Sequence, residues 1–464
     1  MSRHVDVAVI GAGTAGLNVF RQINQVTSNV VLINDGHYGT TCARVGCMPS
    51  KVLIEVANEF SNRKHFNTFG IKGSESLTIE RAQVMAYVRE QRDWFVARVM
   101  DSFDKSPEKN INGRARFVEP QILEVNGERI HADKIVIATG SRPIVPQDWR
   151  KLGNKLITTD EFFELETLPD SIAVIGLGAI GSEIGQALAR LGVRVVGIEK
   201  LSTVCGLSEP TVSKVAIEAL SKDFEVWMET EAHLSEGPNG SIKVDTNNGR
   251  STTVDMVLAS LGRQPNIDDL GLEVLGLDFS KGFKGLVNPN TTQLADFPIF
   301  VAGDVSSYRM ILHDVADEGA IAGYNAMRDK VEAFKRRVPL RIAFTEPQAV
   351  VVGNSMAEAG PDIIIGERSF AVQGRTKIMN RNYGHLCVYA ERQSGRLLGA
   401  EMMMPDGEYV GHFLALAIEN EMTVQEVMRT PFYHPTILEG LDNALSAILN
   451  QLEGSRQGPV LRKI

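Results

Sequence analysis

The stretch that decides the fold is "VDVAVIGAGTAGLNVFRQINQVTSNVVLIN", residues 5–34. Its first six residues are a short, nearly continuous apolar run, which is typical of a strand buried on both faces. The sequence GAGTAG, a helical pattern and a second apolar run follow, so the stretch predicts a βαβ unit that binds a dinucleotide. Gly11 permits the tight turn, Gly13 lets the backbone approach a pyrophosphate, and Gly16 lets the helix pack closely on the strand.

The same order recurs in "SIAVIGLGAIGSEIGQALARLGVRVVGIEK", residues 171–200. The corresponding glycines are Gly176, Gly178 and Gly181. One G-x-G-x-x-G motif alone can equally be an ordinary tight βα turn. Two copies, each in full βαβ context, predict two separate dinucleotide sites in one chain.

The residue that ends the second strand of each unit indicates which nucleotide is bound. Glu199 is placed to accept hydrogen bonds from a ribose 2′-hydroxyl and to repel the 2′-phosphate of NADP, so the second unit favours NAD. Asn34 and Asp35 stand where the first unit should carry an acid. Either can hold a ribose, and Asp35 can equally be a turn residue before Gly36.

Composition excludes several other classes of protein. The chain has 464 residues, which predicts two to four domains. A net charge of -9 argues against nucleic acid or an anionic membrane as a partner. The chain has no apolar run near the roughly 18 residues of a membrane helix and no signal-peptide pattern at its start. With only four cysteines, the composition predicts a cytoplasmic protein.

Two of these cysteines, Cys42 and Cys47, lie in "YGTTCARVGCMPSK", residues 38–51. They can be a disulfide that does chemistry, a metal site or two ordinary buried thiols. A structural zinc site needs about four ligands, and no second pair of cysteines or histidines is spaced to complete one. We therefore predict no metal site. Cys205 and Cys387 have no partner motif and are interpreted as isolated thiols.

Over nearly its whole length, the chain resembles the dimeric flavoprotein disulfide reductases, which include dihydrolipoamide dehydrogenase, glutathione reductase and mercuric reductase. The cysteine segment is the first anchor of the resemblance. Five further motifs follow in the order of the family: IVIATGSRP (135–143), LGRQPN (261–266), IFVAGDV (299–305), MILH (310–313) and YHPTILEG (433–440). The PSK after the second cysteine is more similar to the lipoamide and mercuric reductases than to the glutathione reductases.

The resemblance implies an α/β fold with two Rossmann-like, three-layer ββα dinucleotide-binding domains and a C-terminal α+β dimerisation domain. We expect the first part of the FAD-binding domain at residues 1–146 and the NAD-binding domain at 147–264. The second part of the FAD-binding domain is expected at 265–337 and the dimerisation domain at 338–464. The partner implied is a second copy of the chain, and the cofactors are FAD and NAD(H).

The resemblance also implies the catalytic residues. Cys42 and Cys47 would form a redox-active disulfide, with Cys47 against the flavin and Cys42 exchanging with the substrate. His434 would be the base, oriented by Glu439, and both would serve the disulfide of the partner subunit. A disulfide between Cys42 and Cys47 requires a break in the α-helix. Five residues of ideal helix rise by about 7.5 Å, whereas the Cα atoms of two bridged cysteines usually lie within about 6.8 Å of each other.

Other residues are assigned to the cofactors. Lys51 and Glu183 would form an ion pair beside the flavin N5. The residues expected to bind FAD are Gly11, Gly13, Ala15, Gly16, Asn34, Asp35, Thr41, Lys51, Ala115, Ala138, Thr139, Gly140, Asp304, Met310, Ile311, Leu312 and His313. The residues expected to bind NAD(H) are Gly176, Gly178, Ala179, Ile180, Gly181, Glu199, Ala232 and Gly262.

The chain departs from the family pattern near the cysteines. Thr40 replaces a glycine and Arg44 an asparagine. Arg44 adds a fixed charge that favours an anionic substrate or alters flavin contacts, or it is a solvent-facing helix residue. Tyr433 precedes the HPT motif where relatives have a small residue or histidine, and it narrows the expected substrate channel.

The predicted function is an FAD-dependent dithiol/disulfide oxidoreductase, similar to dihydrolipoamide dehydrogenase, with lipoamide or a lipoyl-bearing protein as substrate. One alternative is the same class of enzyme with another substrate, such as a low-molecular-weight disulfide, a quinone or a metal ion. Another is a flavoprotein redox sensor or regulatory subunit that does not turn over a small substrate.

Overall fold

A computed structural model describes residues 3–101, 107–452 and 459–462. The predicted first and last domains also include residues 1–2, 102–106, 453–458 and 463–464, which lie outside the described residues. The strands are β1 (Arg3–Ile10), β2 (Val30–Asn34), β3 (Asn110–Asn112), β4 (Arg116–Glu119), β5 (Ile122–Val125), β6 (Glu128–Ile137), β7 (Ser141–Pro143), β8 (Leu156–Ile157), β9 (Ser171–Ile175), β10 (Arg194–Ile198), β11 (Glu225–Trp227), β12 (Ala232–Glu236), β13 (Ile242–Thr246), β14 (Ser251–Val254), β15 (Met256–Ala259), β16 (Arg263–Pro265), β17 (Ile299–Val301), β18 (Leu340–Ala343), β19 (Gln348–Gly353), β20 (Ile363–Ser369), β21 (His385–Glu391) and β22 (Leu397–Met404).

The α-helices lie between these strands or after the last of them. They are α1 (Thr14–Asn24), α2 (Thr41–Val45), α3 (Cys47–Asn62), α4 (Arg81–Asp101), α5 (Thr159–Phe162), α6 (Ala179–Arg190), α7 (Pro210–Leu220), α8 (Leu312–Ala326), α9 (Gly374–Ile378), α10 (Gly407–Glu419), α11 (Val424–Val427) and α12 (Leu438–Leu449). Short 3-10 helices cover Arg63–Phe69, Ser74–Ser76, Pro107–Lys109, Gln147–Lys155, Pro238–Gly240, Leu272–Leu275, Asp304–Ser306 and Phe370–Val372. None of the helices in the described part of the chain is both long and apolar enough to cross a membrane.

The chain forms two compact units. The first unit comprises Met1–Pro49, Tyr87–Ile144 and Gly262–Arg337. Its main sheet has the order β3-β2-β1-β6-β5-β4, with β17 also paired to β6. Strands β1, β2, β3, β6 and β17 are parallel.

Both faces of this sheet are buried, which explains the nearly continuous apolar run of β1. Val7 and Val9 belong to a core shared with α1 and α8. Val5 and Ile10 belong to a second core on the other face, which includes residues of β4 and β5. The unit therefore has the three layers expected of a dinucleotide-binding domain.

The second unit comprises Ser50–Ala86, Val145–Leu261 and Val338–Ile464. It contains a parallel sheet of order β11-β10-β9-β15-β8, whose core is shared with the antiparallel sheet β12-β13-β14. A second antiparallel sheet, β18-β19-β22-β21-β20, packs on α10 and α12. The predicted α/β class, with a second Rossmann unit and an α+β segment at the C-terminal end, is confirmed.

Candidate active site

The first glycine-rich turn lies between β1 and α1 and has the geometry that a bound pyrophosphate requires. Gly11 has a φ of 106°, and a Cβ added to it would lie 2.3 Å from the carbonyl oxygen of Ala138. A Cβ on Gly16 would lie 1.8 Å from the carbonyl oxygen of Gly11. Gly13 has nothing within 4 Å at that position and is the N-cap of α1, without a side-chain cap. The backbone N–H groups of this helix end are therefore accessible to phosphate oxygens.

A cavity of about 560 Å³ in the first unit opens on this turn. Of the residues that we assign to FAD, the cavity is lined by Gly11, Gly13, Asn34, Asp35, Thr41, Ala115, Ala138, Thr139 and Gly140. Ala15 and Gly16 are buried behind the turn, and Lys51 lies in α3. Met310 and Ile311 directly precede α8, which begins with Leu312 and His313. The residues present fit a dinucleotide, because open backbone, glycines and polar side chains converge on one cleft.

Asn34, rather than Asp35, occupies the position that the acid has in the second unit. Asn34 Oδ1 accepts a hydrogen bond of 3.2 Å from the Ala12 N–H inside the glycine-rich turn. Glu199, at the same spacing after its own first glycine, accepts one of 2.6 Å from the Leu177 N–H. Asp35 instead lies 3.8 Å from Arg114.

Asp304 is held at one side of the same cavity. Its carboxylate accepts a hydrogen bond of 2.6 Å from the Ser141 hydroxyl, and Ser141 lines the cavity. Arg263 Nε donates to the Ser141 oxygen at 2.7 Å and lies 3.9 Å from the carboxylate. The side chain is thus oriented by its neighbours, as a residue that binds a polar chain of the cofactor should be.

The two cysteines lie on either side of a break in the helix. α2 ends at Val45, Gly46 adopts φ -128° and ψ -120°, and α3 begins at Cys47. A Cβ on Gly46 would lie 3.2 Å from the Cα of Cys42, so the chain closes tightly at this point. The break that the spacing of the cysteines requires is present. Cys42 is partly buried and Cys47 is exposed.

Thr40 stands in a backbone conformation that suits glycine. Its φ is 63° and its ψ is 149°, a region that residues with a side chain rarely adopt. Its hydroxyl oxygen accepts a hydrogen bond of 3.3 Å from the Ala43 N–H and so caps α2. The cap compensates in part for the loss of the glycine that the family carries here.

Arg44 lines the dinucleotide cavity. This placement favours a contact with the cofactor over the two other interpretations, an anionic substrate or a solvent-facing residue. Arg114 and Arg142 also line the cavity, but both are engaged with acids: Arg114 Nη2 lies 3.3 Å from Asp269 and Arg142 Nη2 lies 2.5 Å from Asp268. Neither arginine is among the residues assigned from the sequence: Arg114 lies in the loop between β3 and β4, outside the motifs, and Arg142 lies in β7 at the end of the IVIATGSRP motif.

Lys51 and Glu183 form the predicted ion pair. Lys51 Nζ donates to both carboxylate oxygens of Glu183, at 2.9 and 3.1 Å. The Phe344 N–H also donates to Glu183 at 2.8 Å, and the aromatic ring of Phe344 lies 4.7 Å from Lys51 Nζ.

Cys205 lies near this ion pair. Burial raises the pKa of the Cys205 thiol to about 12, and the charge of Glu183 adds to the shift. A raised pKa leaves little of the reactive thiolate form at neutral pH.

The second glycine-rich turn repeats the geometry of the first. A Cβ on Gly176 would lie 2.5 Å from the Ser260 carbonyl oxygen, and one on Gly181 would lie 1.9 Å from that of Gly176. Gly178 has nothing within 4 Å and is the N-cap of α6, which begins with Ala179 and Ile180. Ala232 lies in β12 of the same unit, whereas Gly262 belongs to the first unit.

Glu199 is buried beside this turn. One carboxylate oxygen accepts from the Leu177 N–H, and the other accepts from the Leu201 N–H at 2.9 Å. Each oxygen keeps a lone pair for a hydroxyl donor. A carboxylate fixed in this position also repels the 2′-phosphate that distinguishes NADP from NAD. This repulsion supports the preference for NAD.

His434 and Glu439 form the predicted pair at the start of α12. His434 Nδ1 lies 2.8 Å from Glu439 Oε1, and the Thr436 N–H donates to Oε2 at 2.9 Å. The hydrogen bond from His434, followed by that from Thr436, lowers the pKa of Glu439. The His434 side chain is 81% exposed and Tyr433 is 80% exposed. The imidazole is thus oriented through one nitrogen and presents the other at the surface.

Together, two dinucleotide turns, a cysteine pair at a helix break and an oriented histidine define a flavoprotein of the dithiol/disulfide class. Comparison with known proteins supports this assignment to a class. Residues 5–320 match the pyridine nucleotide-disulphide oxidoreductase family, and residues 340–445 match its dimerisation domain. The chain belongs to this family. Its cofactors are FAD and NAD(H), as predicted.

Relatives of known function extend over nearly the whole chain. It is 30% identical over 451 residues to the dihydrolipoyl dehydrogenase of Geobacillus stearothermophilus, covering 94% of each chain. It is 30% identical over 455 residues to a dihydrolipoyl dehydrogenase of Bacillus subtilis, covering 95% of this chain and 97% of the other.

Two solved structures share the fold at lower identity. The HOCl-induced flavoprotein disulfide reductase RclA from Escherichia coli has a TM-score of 0.81 at 21% identity, covering 95% of this chain and 99% of its own. LpdA from Mycobacterium tuberculosis has a TM-score of 0.81 at 21% identity, covering 96% and 99%. The predicted fold class is confirmed.

Proposed function

We propose that the protein passes electrons between NAD(H) and a substrate dithiol or disulfide through a Cys42–Cys47 redox disulfide. Lipoamide, free or attached to a protein, is the first candidate substrate. The helix break at Gly46 carries this proposal, because it separates α2, which contains Cys42, from α3, which begins at Cys47. Thr41 and Arg44, on either side of Cys42, line the dinucleotide cavity. The names of the relatives support lipoamide as the substrate.

When bound, FAD would link thiol chemistry to hydride transfer, since a flavin can take an electron pair from a dithiol and give a hydride to NAD, or the reverse. Residues of this chain do the rest. In the direction of substrate oxidation, a substrate thiolate attacks Cys42, Cys47 leaves as a thiolate, and the second substrate thiol then displaces Cys42 to close the substrate disulfide. Two electrons enter the Cys42–Cys47 pair, and His434 accepts the proton of the attacking thiol.

The remaining site residues have supporting roles in this proposal. Lys51, fixed by Glu183, would place a positive charge beside the flavin ring, and Glu199 would bind the ribose of NAD(H). His434 acts on the disulfide of a second copy of the chain, so the active unit is a homodimer. The exposure of His434 supports this part of the proposal. The four domain ranges and the cytoplasmic location stay predictions.

A substrate panel tests the function directly. Purified holoenzyme is assayed with NADH or NADPH against lipoamide, glutathione disulfide, a quinone and a metal ion, and with NAD and dihydrolipoamide for the reverse direction. We expect lipoamide to give the highest kcat/KM and NADH to be preferred. Rapid reduction by NADH with no accepted substrate would favour a redox sensor instead, and preferred reduction of another acceptor would replace lipoamide.

Replacing Arg44 by methionine is expected to weaken FAD binding. The guanidinium lines the cavity beside the open turn, where it can donate charge-assisted hydrogen bonds to phosphate oxygens. Loss of such a bond corresponds to roughly a 10- to 100-fold higher Kd for FAD. The measurement is fluorescence titration of the apoprotein with FAD. Arg129→Met is the control, since Arg129 is exposed in β6. Equal Kd values for FAD in the two variants would show that Arg44 does not contact the cofactor and faces solvent.

A further inference from the structure

A row of polar residues crosses the C-terminal antiparallel sheet. Glu367 in β20 and Glu401 in β22 are both direct cross-strand partners of Cys387 in β21. His385 lies two residues before Cys387 and therefore points to the same face. Cys387 and Glu401 are completely buried, and Glu367 reaches the surface. The row places a thiol, an imidazole and a carboxylate together, outside the active site.

One nitrogen in this row lacks a hydrogen-bond partner. His385 Nε2 is buried and makes no hydrogen bond within the described residues, although Glu367 Oε2 lies 3.4 Å away. The distance is longer than that of a good hydrogen bond, and the two groups are not aligned for one. A buried polar atom without a partner is rare in a folded protein. The arrangement therefore points to an ion or molecule that completes it.

Charge indicates that the missing partner is a cation. Three carboxylates, those of Glu209, Glu367 and Glu401, interact electrostatically with Cys387. Glu209 already caps α7 through the Val212 N–H at 2.6 Å. Glu401 accepts three backbone N–H groups and the Ser208 hydroxyl. Glu367 is the carboxylate of the row that keeps its acceptor capacity, and a bound cation would convert the thiol to a thiolate ligand.

We propose that Glu367, His385 and Cys387 bind one zinc-like divalent cation. Their ligand atoms lie within 4.8 Å of one another. Ligand atoms of a tetrahedral zinc are separated by roughly 3.5 Å. Glu367 Oε2 and His385 Nε2 already lie 3.4 Å apart. A water molecule takes the fourth position. Because the ligands lie on β20 and β21, the ion cross-links two strands of the sheet and stabilises it. The site has no motif in the sequence, because two ligands lie in β21 and the third is brought beside them only by the pairing of β20 with β21.

Cobalt binding tests the proposal. Co²⁺ is added to metal-free holoenzyme in a C42S/C47S background, so that the active-site thiols do not contribute. The difference spectrum between cobalt-loaded and metal-free protein cancels the flavin. We expect one Co²⁺ per chain with a sulfur-to-cobalt charge-transfer band, and competition by Zn²⁺. A second cluster, His4, His131 and Asp133, contains no sulfur and cannot give this band.

Single variants identify the ligands. Cys387→Ala is expected to abolish the band, and Glu367→Gln to weaken Co²⁺ binding by more than about tenfold, since even outer-shell residues of metal sites contribute about that much. Glu367 is mostly exposed, so its variant folds even if Cys387→Ala does not. Glu391→Gln is the control, since Glu391 is a partly exposed acid of the same strand pair and lies outside the cluster. Absence of the band, or an unchanged affinity in Glu367→Gln, would overturn the proposal.

Discussion

Replacing Cys42 or Cys47 by serine is expected to lower NADH-dependent lipoamide reduction by at least about 10³-fold. A hydroxyl cannot take part in thiol–disulfide exchange, and an enzyme without its nucleophile retains only binding and orientation. FAD binding and the reduction of FAD by NADH should remain, because the glycine-rich turns are unchanged. Steady-state kinetics and anaerobic flavin reduction, measured on the same preparation, separate the two steps.

The two variants should differ in one spectroscopic property. If Cys47 is the thiol next to the flavin, then the reduced Cys42→Ser protein keeps a long-wavelength charge-transfer absorption and Cys47→Ser loses it. Cys205→Ala is the control, because that buried thiol is unreactive and lies outside the proposed relay. Normal lipoamide turnover in either serine variant would exclude a redox disulfide at this position.

Replacing His434 by glutamine is expected to lower kcat with lipoamide by about 10²- to 10⁴-fold, the usual contribution of a general base. Flavin reduction by NADH should not change. Glu439→Gln should have a smaller effect, since Glu439 orients the imidazole and does not touch the substrate. His412→Gln is the matched control, because His412 is another exposed histidine, held by the carbonyl oxygen of Glu408 in α10. An unchanged kcat in His434→Gln would assign the base elsewhere.

The interaction of Glu439 has a defined pH dependence. Because its pKa is lowered in the folded protein, its stabilising contact is fully present above the ordinary carboxyl pKa and is lost as the pH falls through the lowered value. The hydrogen bond between Glu439 and His434 should therefore persist in mildly acidic solution. A loss of activity in mildly acidic solution would then be caused by a group other than Glu439.

Mixed dimers test whether His434 acts on the partner subunit. Protomers with Cys42→Ser and protomers with His434→Gln are inactive as homodimers. If the base comes from the partner, each mixed dimer has one intact site, and random mixing restores about a quarter of the wild-type activity. If each chain uses its own base, every site in the mixture is defective and no activity returns.

The sequence predicted what depends on local chain geometry. The roles of Gly11, Gly13 and Gly16 follow from the turn that a strand and a helix must share, and the structure places them accordingly. The break between the cysteines follows from the rise of a helix. The pairing of Lys51 with Glu183 came from family resemblance, since no local pattern joins residues so far apart in the chain.

What the sequence did not predict depends on distant segments. Arg114 reaches the cavity through the loop between β3 and β4, whose course the motifs do not determine. Arg142 lies within a motif, but the motif does not indicate that its side chain lines the cavity. Asn34 and Glu199 can be recognised as equivalent only from their matching hydrogen bonds with the N–H groups of Ala12 and Leu177. Cys387 was interpreted as an isolated thiol, because its neighbour Glu367 is brought beside it only by the pairing of β20 with β21.

The central claim is that Cys42 and Cys47 exchange electrons with a flavin reduced by NADH. Alkylation of the air-oxidised holoenzyme, before and after one equivalent of NADH without oxygen, tests it directly by peptide mass mapping. We expect a Cys42–Cys47 linked peptide before NADH and alkylation of both cysteines after it. A yellow protein whose flavin is reduced by NADH, but whose Cys42 and Cys47 are already alkylated in the oxidised state, would contradict the account.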